Sequence, residues 1–246
     1  MSVFALSDLH LSFGTTGKSM EVFGSQWLHY TQKIETSWRK KISSQDLVLI
    51  PGDISWAIRL EQALPDLEWI HNLPGTKLLI RGNHDFWWSS LKKVQDILPP
   101  SLHVLQNTAF LWNDIAVAGS RLWDTPEYSF SSAIEFTLPL TTEKKSLPPE
   151  DEVIFTRELQ RLEMSLSQMS SSAKTRIAMT HYPPIGLDLF PSKTSLLFQK
   201  YKINISVFGH LHSLKKGIKL FGEKKEGIEY YLTSCDYLDF SPLQIL

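Results

Sequence analysis

Residues 76–85 read Thr-Lys-Leu-Leu-Ile-Arg-Gly-Asn-His-Asp, an apolar run that ends in side chains able to bind metal. Short runs of large apolar and β-branched residues read as strands buried on both faces of a central sheet. The same arrangement recurs along the chain. Residues 3–7 lead to Asp8-Leu9-His10, residues 46–51 to Gly52-Asp53, residues 175–179 to His181, and residues 203–208 to Gly209-His210-Leu211-His212. Ligand types at several strand tips converge in space although they lie far apart in sequence. An enzyme with a metal cluster at one edge of its sheet needs that pattern.

The spacing of the tips also bounds the domain organisation. The 246 residues could form one large or two small domains. Any cut between residues 8 and 212 would split the ligand set, so residues 1–246 are expected to form one domain. With 42% apolar and 21% charged residues the composition is that of an ordinary globular chain. A net charge of −1 speaks against an extended nucleic-acid surface. The lone Cys235 excludes an internal disulfide and fits a reducing compartment. No run is long enough to span a bilayer. Met1–Ser7 carries no basic segment and leads straight into Asp8, so no cleaved leader is expected and the protein is assigned to the cytoplasm.

Between the strand runs lie helical patterns. Phe23, Trp27, Tyr30, Ile34 and Trp38 recur every three to four residues and predict an amphipathic helix. Leu60, Leu64, Leu67 and Ile70 repeat the period around Pro65, which predicts either a kink or a fresh helix start. Residues 87–97 predict a third helix, ending before Pro99-Pro100. This alternation argues for parallel strands joined by crossovers. The short runs 103–106, 109–112 and 115–118 look closer to a meander. Residues 122–148, with three prolines and no period, predict a long excursion able to act as a lid. A stripe of Phe155, Leu159, Leu162, Leu166 and Met169 marks another helix. Residues 217–220 and 228–233 predict a hairpin around a polar turn.

Taken in order, the strings D-x-H, G-D, G-N-H-D, H and G-H-x-H resemble the signature of the calcineurin-like metallophosphoesterases over roughly residues 1–235. The resemblance implies an α/β fold, a two-sheet β-sandwich flanked by helices in four layers. It implies two divalent metals and hydrolysis of a phosphate ester or anhydride by in-line attack of a metal-bridging hydroxide. It implies that Asp8, His10 and His212 hold one metal and Asn83, His181 and His210 the other. Asp53 would bridge them, its two oxygens each binding one ion. His84 would be the general acid facing the leaving group, with Asp85 orienting its ring.

The residue chemistry agrees with that scheme. Asp8 and His10, and again His210 and His212, are expected on extended segments with both side chains on one face. Oxygen and imidazole ligands without thiolate suit Mn²⁺, Fe or Zn²⁺, with Mn²⁺ preferred. Two divalent ions against Asp8, Asp53 and one hydroxide leave a positive surplus that attracts phosphate, and the neutral Asn83 preserves it. Gly52, Gly82 and Gly209 precede ligands and are expected to permit tight turns. Arg81 and Arg121 near strand tips are candidates to grip phosphate oxygens.

Other residues have plainer readings. His29, His71 and His103 are taken as packing or surface residues. Trp56, Trp87, Trp88 and Trp123 follow the site turns and divide between core packing and an aromatic wall, with Trp123 expected to touch the non-phosphate part of the substrate. The leading expectation is a small phosphorylated metabolite or nucleotide as substrate. A lipid-linked pyrophosphate at the membrane face rests on the apolar stretch 183–190. A non-catalytic scaffold would be marked by lost ligands, and none is lost.

Overall fold

The computed structural model describes residues 1–135, 148–218 and 222–246. Two sheets dominate it. The first is built from β1 (Val3–Ala5), β2 (Leu47–Ile50), β3 (Thr76–Leu79), β4 (Leu102–Val104) and β11 (Leu243–Gln244), in the order β11-β1-β2-β3-β4. The second is built from β5 (Ala109–Trp112), β6 (Ile115–Ser120), β7 (Thr175–Thr180), β8 (Ile205–Phe208), β9 (Glu223–Lys225) and β10 (Ile228–Leu232), in the order β5-β6-β7-β8-β10-β9. β1 to β4 run parallel to one another, as do β6, β7, β8 and β10. The antiparallel partners β11, β5 and β9 lie at the edges.

Strand alternation explains why these runs are apolar throughout. Val3, Ala5, Leu47, Leu49 and Leu78 point inward and meet Val117, Ile177, Met179, Ile205 and Val207 of the other sheet. Phe4, Val48, Ile50 and Leu79 point outward against α1 (Tyr30–Lys41), α2 (Leu60–His71) and α3 (Leu91–Ile97) through Ile34, Trp38, Leu67, Ile70 and Val94. Ala116, Ala178, Phe208 and Tyr230 pack outward against α4 (Pro149–Ser167) and α5 (Lys193–Lys200) through Leu162, Leu166 and Phe198. Each such large apolar side chain contributes roughly 1.5–3 kcal/mol by leaving water. The result is the expected four-layer α/β sandwich.

Several local expectations need correction. The first helix begins at Tyr30, not Phe23. Gly24, at φ 132°, takes a backbone that no right-handed helix contains, and Met20–Phe23 and Ser25–Trp27 form separate 3₁₀ turns. α2 continues through Pro65 without a second start. α3 starts only at Leu91, where the Ser90 hydroxyl accepts from the Lys93 amide. No meander forms, because β4 pairs with β3 in the first sheet whereas β5 pairs with β6 in the second. Left-handed Asn107, at φ 59°, lies in the link between them. α4 starts earlier than its stripe, with Pro149 first and Glu150, Asp151 and Glu152 in its positive first turn, and ends at Ser167, short of Met169. The hairpin forms with β9 at Glu223–Lys225, nearer its turn than expected. Of the excursion 122–148, residues 136–147 fall outside the described residues, as do residues 219 and 220 of the predicted hairpin strand. No described helix is long and apolar enough to cross a membrane.

Candidate metal centre

Because β1, β2 and β3 are parallel, Asp8, Asp53 and Asn83 leave the same edge of the first sheet. β7 and β8 bring His181 and the 209–212 string to the matching edge of the second. A parallel bridge between Ser7 and Ser234 ties the two edges together. The carboxyl ends of parallel strands thus form a common floor.

Two groups of ligand atoms gather there. In the first, His10 Nε2 lies 3.2 Å from His212 Nε2, and His212 Nε2 lies 3.6 Å from Asp8 Oδ1. In the second, Asn83 Oδ1 lies 2.7 Å from His181 Nε2 and 3.1 Å from His210 Nδ1. Asp53 Oδ2 sits between them, 3.7 Å from His10 Nε2 and 3.5 Å from His181 Nε2. The other oxygen of Asp53 accepts the His84 amide at 2.8 Å. The expectation of one oxygen per metal therefore needs revision, since a single oxygen faces both groups.

The ring nitrogens are prepared for ligation. His181 Nδ1 faces the Pro51 carbonyl at 2.9 Å and His212 Nδ1 faces Asp236 Oδ1 at 2.8 Å. Donation on those sides leaves the Nε2 lone pairs directed at the site. Burial holds His10 and His210 well below the usual imidazole range, so their nitrogens are neutral donors. Burial pushes Asp8 up, and burial together with Asp85 pushes Asp53 up to about 8. Positive charge between these carboxylates relieves both effects. Imidazole nitrogen, carboxylate and carboxamide oxygen without thiolate form a donor set that fits divalent cations.

The backbone is strained where the candidate ligands stand. Asp8, His10, Asp53 and His210 have φ of 58°, 45°, 51° and 71°. Neither histidine pair therefore lies on an extended segment, contrary to expectation. Each left-handed residue costs on the order of 1 kcal/mol or more. Hydrogen bonds hold the strained segments: the Asp8 amide donates to Gly52 O at 3.0 Å and the His10 amide to Asp53 O at 3.0 Å. Gly82 serves close approach more than turning, since a Cβ there would fall 2.1 Å from Asp53 Oδ1.

His84 is half-buried, with its ring 4.7 Å from that of Trp56 and 5.7 Å from that of His10. Burial, helped by His181, holds it below its ordinary range, and Asp85 opposes that shift. Asp85 does not orient the ring by hydrogen bonding. Its oxygens accept from the amides of Ile54, Ser55 and Gly82 and from Trp87 Nε1, at 2.8–3.1 Å. It fixes the loop backbones that carry Asp53 and Asn83.

The tryptophans divide. Trp87 and Trp88 are core residues, whereas Trp56 stacks on His10 at 4.9 Å. Trp27, not foreseen, stands edge-on to His10 at 6.4 Å and lies 5.9 Å from His212. Tyr182, also not foreseen, covers His210 at 4.0 Å, and Trp123 lies behind it at 5.1 Å. Trp123 Nε1 donates to Asp151 Oδ1 at 2.9 Å, and the Arg121 guanidinium lies 4.5 Å over its ring. Arg121 Nη2 is 3.5 Å from Glu158 Oε1. Asp236 was missed although an apolar run, β10, precedes it at the same sheet edge. Cys235 is buried, its thiol pushed up by burial, and donates to the Asp8 carbonyl at 3.0 Å.

Comparisons with known proteins agree with this architecture. A family model described as calcineurin-like phosphoesterase matches residues 1–214. The gene 66 protein of Mycobacterium phage D29 is 35% identical over 85 residues, 34% of this chain and 40% of the phage protein. The match therefore spans less than half of that relative. Among solved structures, phosphopantetheinyl hydrolase from Mycobacterium tuberculosis superposes with a TM-score of 0.53 at 15% identity, covering 100% of this chain and 95% of its own. GAP50, the anchor in the inner membrane complex of Plasmodium, gives 0.52 at 11% identity, with coverage of 96% and 72%. A protein of Thermus thermophilus, TT1561, gives 0.51 at 12%, with coverage of 98% and 96%. The structures share the fold; the family match extends over most of the sequence and takes in every candidate ligand. The chain belongs to the calcineurin-like phosphoesterase family.

Proposed function

We propose that this chain, as one domain in the cytoplasm, hydrolyses a phosphate ester or anhydride of a small metabolite or nucleotide at a two-metal centre. Asp8, His10 and His212 hold one ion, Asn83, His181 and His210 the other, and Asp53 bridges them. The observation that carries this reading is the position of Asp53 Oδ2, within 3.7 Å of a ligand nitrogen from each group. Bound divalent ions, Mn²⁺ by preference over Fe or Zn²⁺, supply Lewis-acid activation of water and neutralise phosphoryl oxygens.

The chain's own residues do the rest. Arg121, anchored by Glu158, offers guanidinium N–H groups to a phosphate oxygen. Trp56 and Trp27 wall one side of the site, Tyr182 and Trp123 the other, and they exclude water around the reacting group. His84 is tethered by its amide to Asp53 and gives its ring proton to the leaving oxygen. Its lowered pKa makes the protonated ring a stronger acid.

A lipid-linked substrate is a second reading, on altered grounds. Of the stretch 183–190, Ile185 is buried and Leu187 and Leu189 pack in the outer core layer, which leaves Phe190 exposed at its end. Nearer the site, Phe86, 57% exposed, stands 6.2 Å from the His84 ring. A screen of phosphorylated compounds with Mn²⁺, Fe²⁺ and Zn²⁺, run beside liposome flotation, separates the readings. Hydrolysis of water-soluble compounds without flotation supports the first. Flotation with activity confined to lipid-linked compounds supports the second.

A further inference from the structure

Beside the metal centre a cleft of about 160 Å³ opens between the tips of β3, β4 and β6 and the side of α4. Arg81, Trp88, Asn107, Arg121, Glu158 and Arg161 supply most of its polar groups. Two of their donors, Arg81 Nε and Trp88 Nε1, are buried without a hydrogen-bond partner among the described residues. Trp88 is only 2% exposed. Buried polar groups in native proteins are nearly always paired, and two unpaired donors lining one cleft mark a place built for an acceptor.

The charge says which kind. Glu158 is held 2.6 Å from Arg161 and 3.5 Å from Arg121, and Arg81 pairs with no carboxylate among the described residues. Three guanidiniums against one carboxylate leave two positive charges (3 − 1 = 2) in a partly desolvated space. Water satisfies donors but not that surplus. A dianion with several acceptor oxygens satisfies both, and guanidinium and indole N–H groups suit phosphate oxygens.

The cleft also shares its framework with the centre. Arg81 precedes Asn83 by two residues, and the Arg121 carbonyl accepts from the His181 amide at 3.2 Å and the Tyr182 amide at 2.9 Å. An occupant therefore lies next to the reacting phosphate. We propose that this cleft binds a second, non-reacting phosphate of the substrate, which makes the substrate a bis-phosphorylated metabolite or nucleotide. The assignment rests on the phosphohydrolase reading of the centre and narrows it.

The test compares alkane monophosphonates with bisphosphonates of short, medium and long spacers on the metal-loaded protein, by calorimetry. One spacer length should bind roughly tenfold or more tighter than its monophosphonate, the scale of a charge-assisted hydrogen bond. Arg161→Gln and Trp88→Phe should each erase most of that preference. Because the Arg161 side chain is 41% exposed, its replacement spares the core and decides the matter if Trp88→Phe does not fold. Equal affinities at every spacer length, or a preference surviving in Arg161→Gln, would mean a water-filled gap and overturn the proposal. Sulfate that alters monophosphonate binding in the native protein but not in Arg161→Gln, with no gain from the bisphosphonates, would assign the cleft to a free anion and overturn the substrate class. Alkane bisphosphates and monophosphates assayed for hydrolysis keep the two readings apart. No turnover of either sinks the phosphohydrolase reading, while the phosphonate comparison still decides the cleft.

Discussion

His212 Nδ1 donates to Asp236 Oδ1 across 2.8 Å, and the second oxygen of the same carboxylate accepts the Ser213 amide at 3.1 Å. Burial pulls the His212 pKa down, but Asp236, Asp8 and Asp53 together lift it to about 9. The bond fixes the ring so that Nε2 faces Asp8 and His10. Such outer partners of a ligand histidine typically set metal affinity. Asp236→Asn should weaken metal binding about 10–100-fold, read by competition with a chelating dye. Unchanged affinity would leave Asp236 without a role in the centre.

Asp53→Asn removes the charge that both ligand groups share. Metal occupancy and hydrolysis should fall together, turnover by several orders of magnitude. Elemental analysis beside a p-nitrophenyl phosphate assay checks this. Two full metal equivalents with near-native turnover would refute the bridging role.

His84→Asn should retain both metals. Alkyl esters, whose leaving group needs a proton, should lose about 10²–10⁴-fold, and p-nitrophenyl esters far less. Equal losses on the two ester types would contradict the acid role.

Trp123 is half-buried, bonded to Asp151 and packed on Tyr182. Trp123→Ala is expected to raise KM for nucleotide-sized esters more than for small ones. A packing role alone predicts otherwise: equal losses on all substrates and a large fall in melting temperature.

Asp66 lies buried under the site loops, accepting from the Phe13 amide at 2.7 Å and from the Ser55 hydroxyl. Burial raises its pKa to about 6 against the pull of those bonds. The fold therefore holds this proton more tightly than the unfolded chain does. That stabilisation is complete below the ordinary value of 3.8 and is lost as pH rises through about 6. Urea melts should show the native protein losing ground to Asp66→Asn between about pH 4 and pH 7. A gap independent of pH would be the contrary result.

The strand tips were legible because a strand covered on both faces must be apolar along its length, so a ligand at its end stands out. The same rule, extended to residues 228–232, points to Asp236. Conformation at the tips was not legible. Left-handed backbone at Asp8, His10 and His210 is set by the amides and carbonyls of other loops, and no periodicity reports that. The partners of Asp85 were hidden for a like reason, since the Ile54 and Ser55 amides lie some 30 residues away. Trp27 keeps helical spacing with Trp38, yet Gly24 and left-handed His29 detach it from the helix and leave it beside His10.

Order of synthesis gives the Ser7–Ser234 bridge a further meaning. Through its carboxylate Asp8 accepts at 3.0 Å from the hydroxyl of Ser234, a residue made 226 positions later. Its carbonyl accepts from the next residue, Cys235, and β11 closes the flank of β1 later still. A nascent chain carries Asp8, His10, Asp53 and Asn83 long before the segment that locks them exists. The hydrogen bonds that hold Asp8 in place therefore form only once residues 234 and 235 have emerged and returned to the first strand.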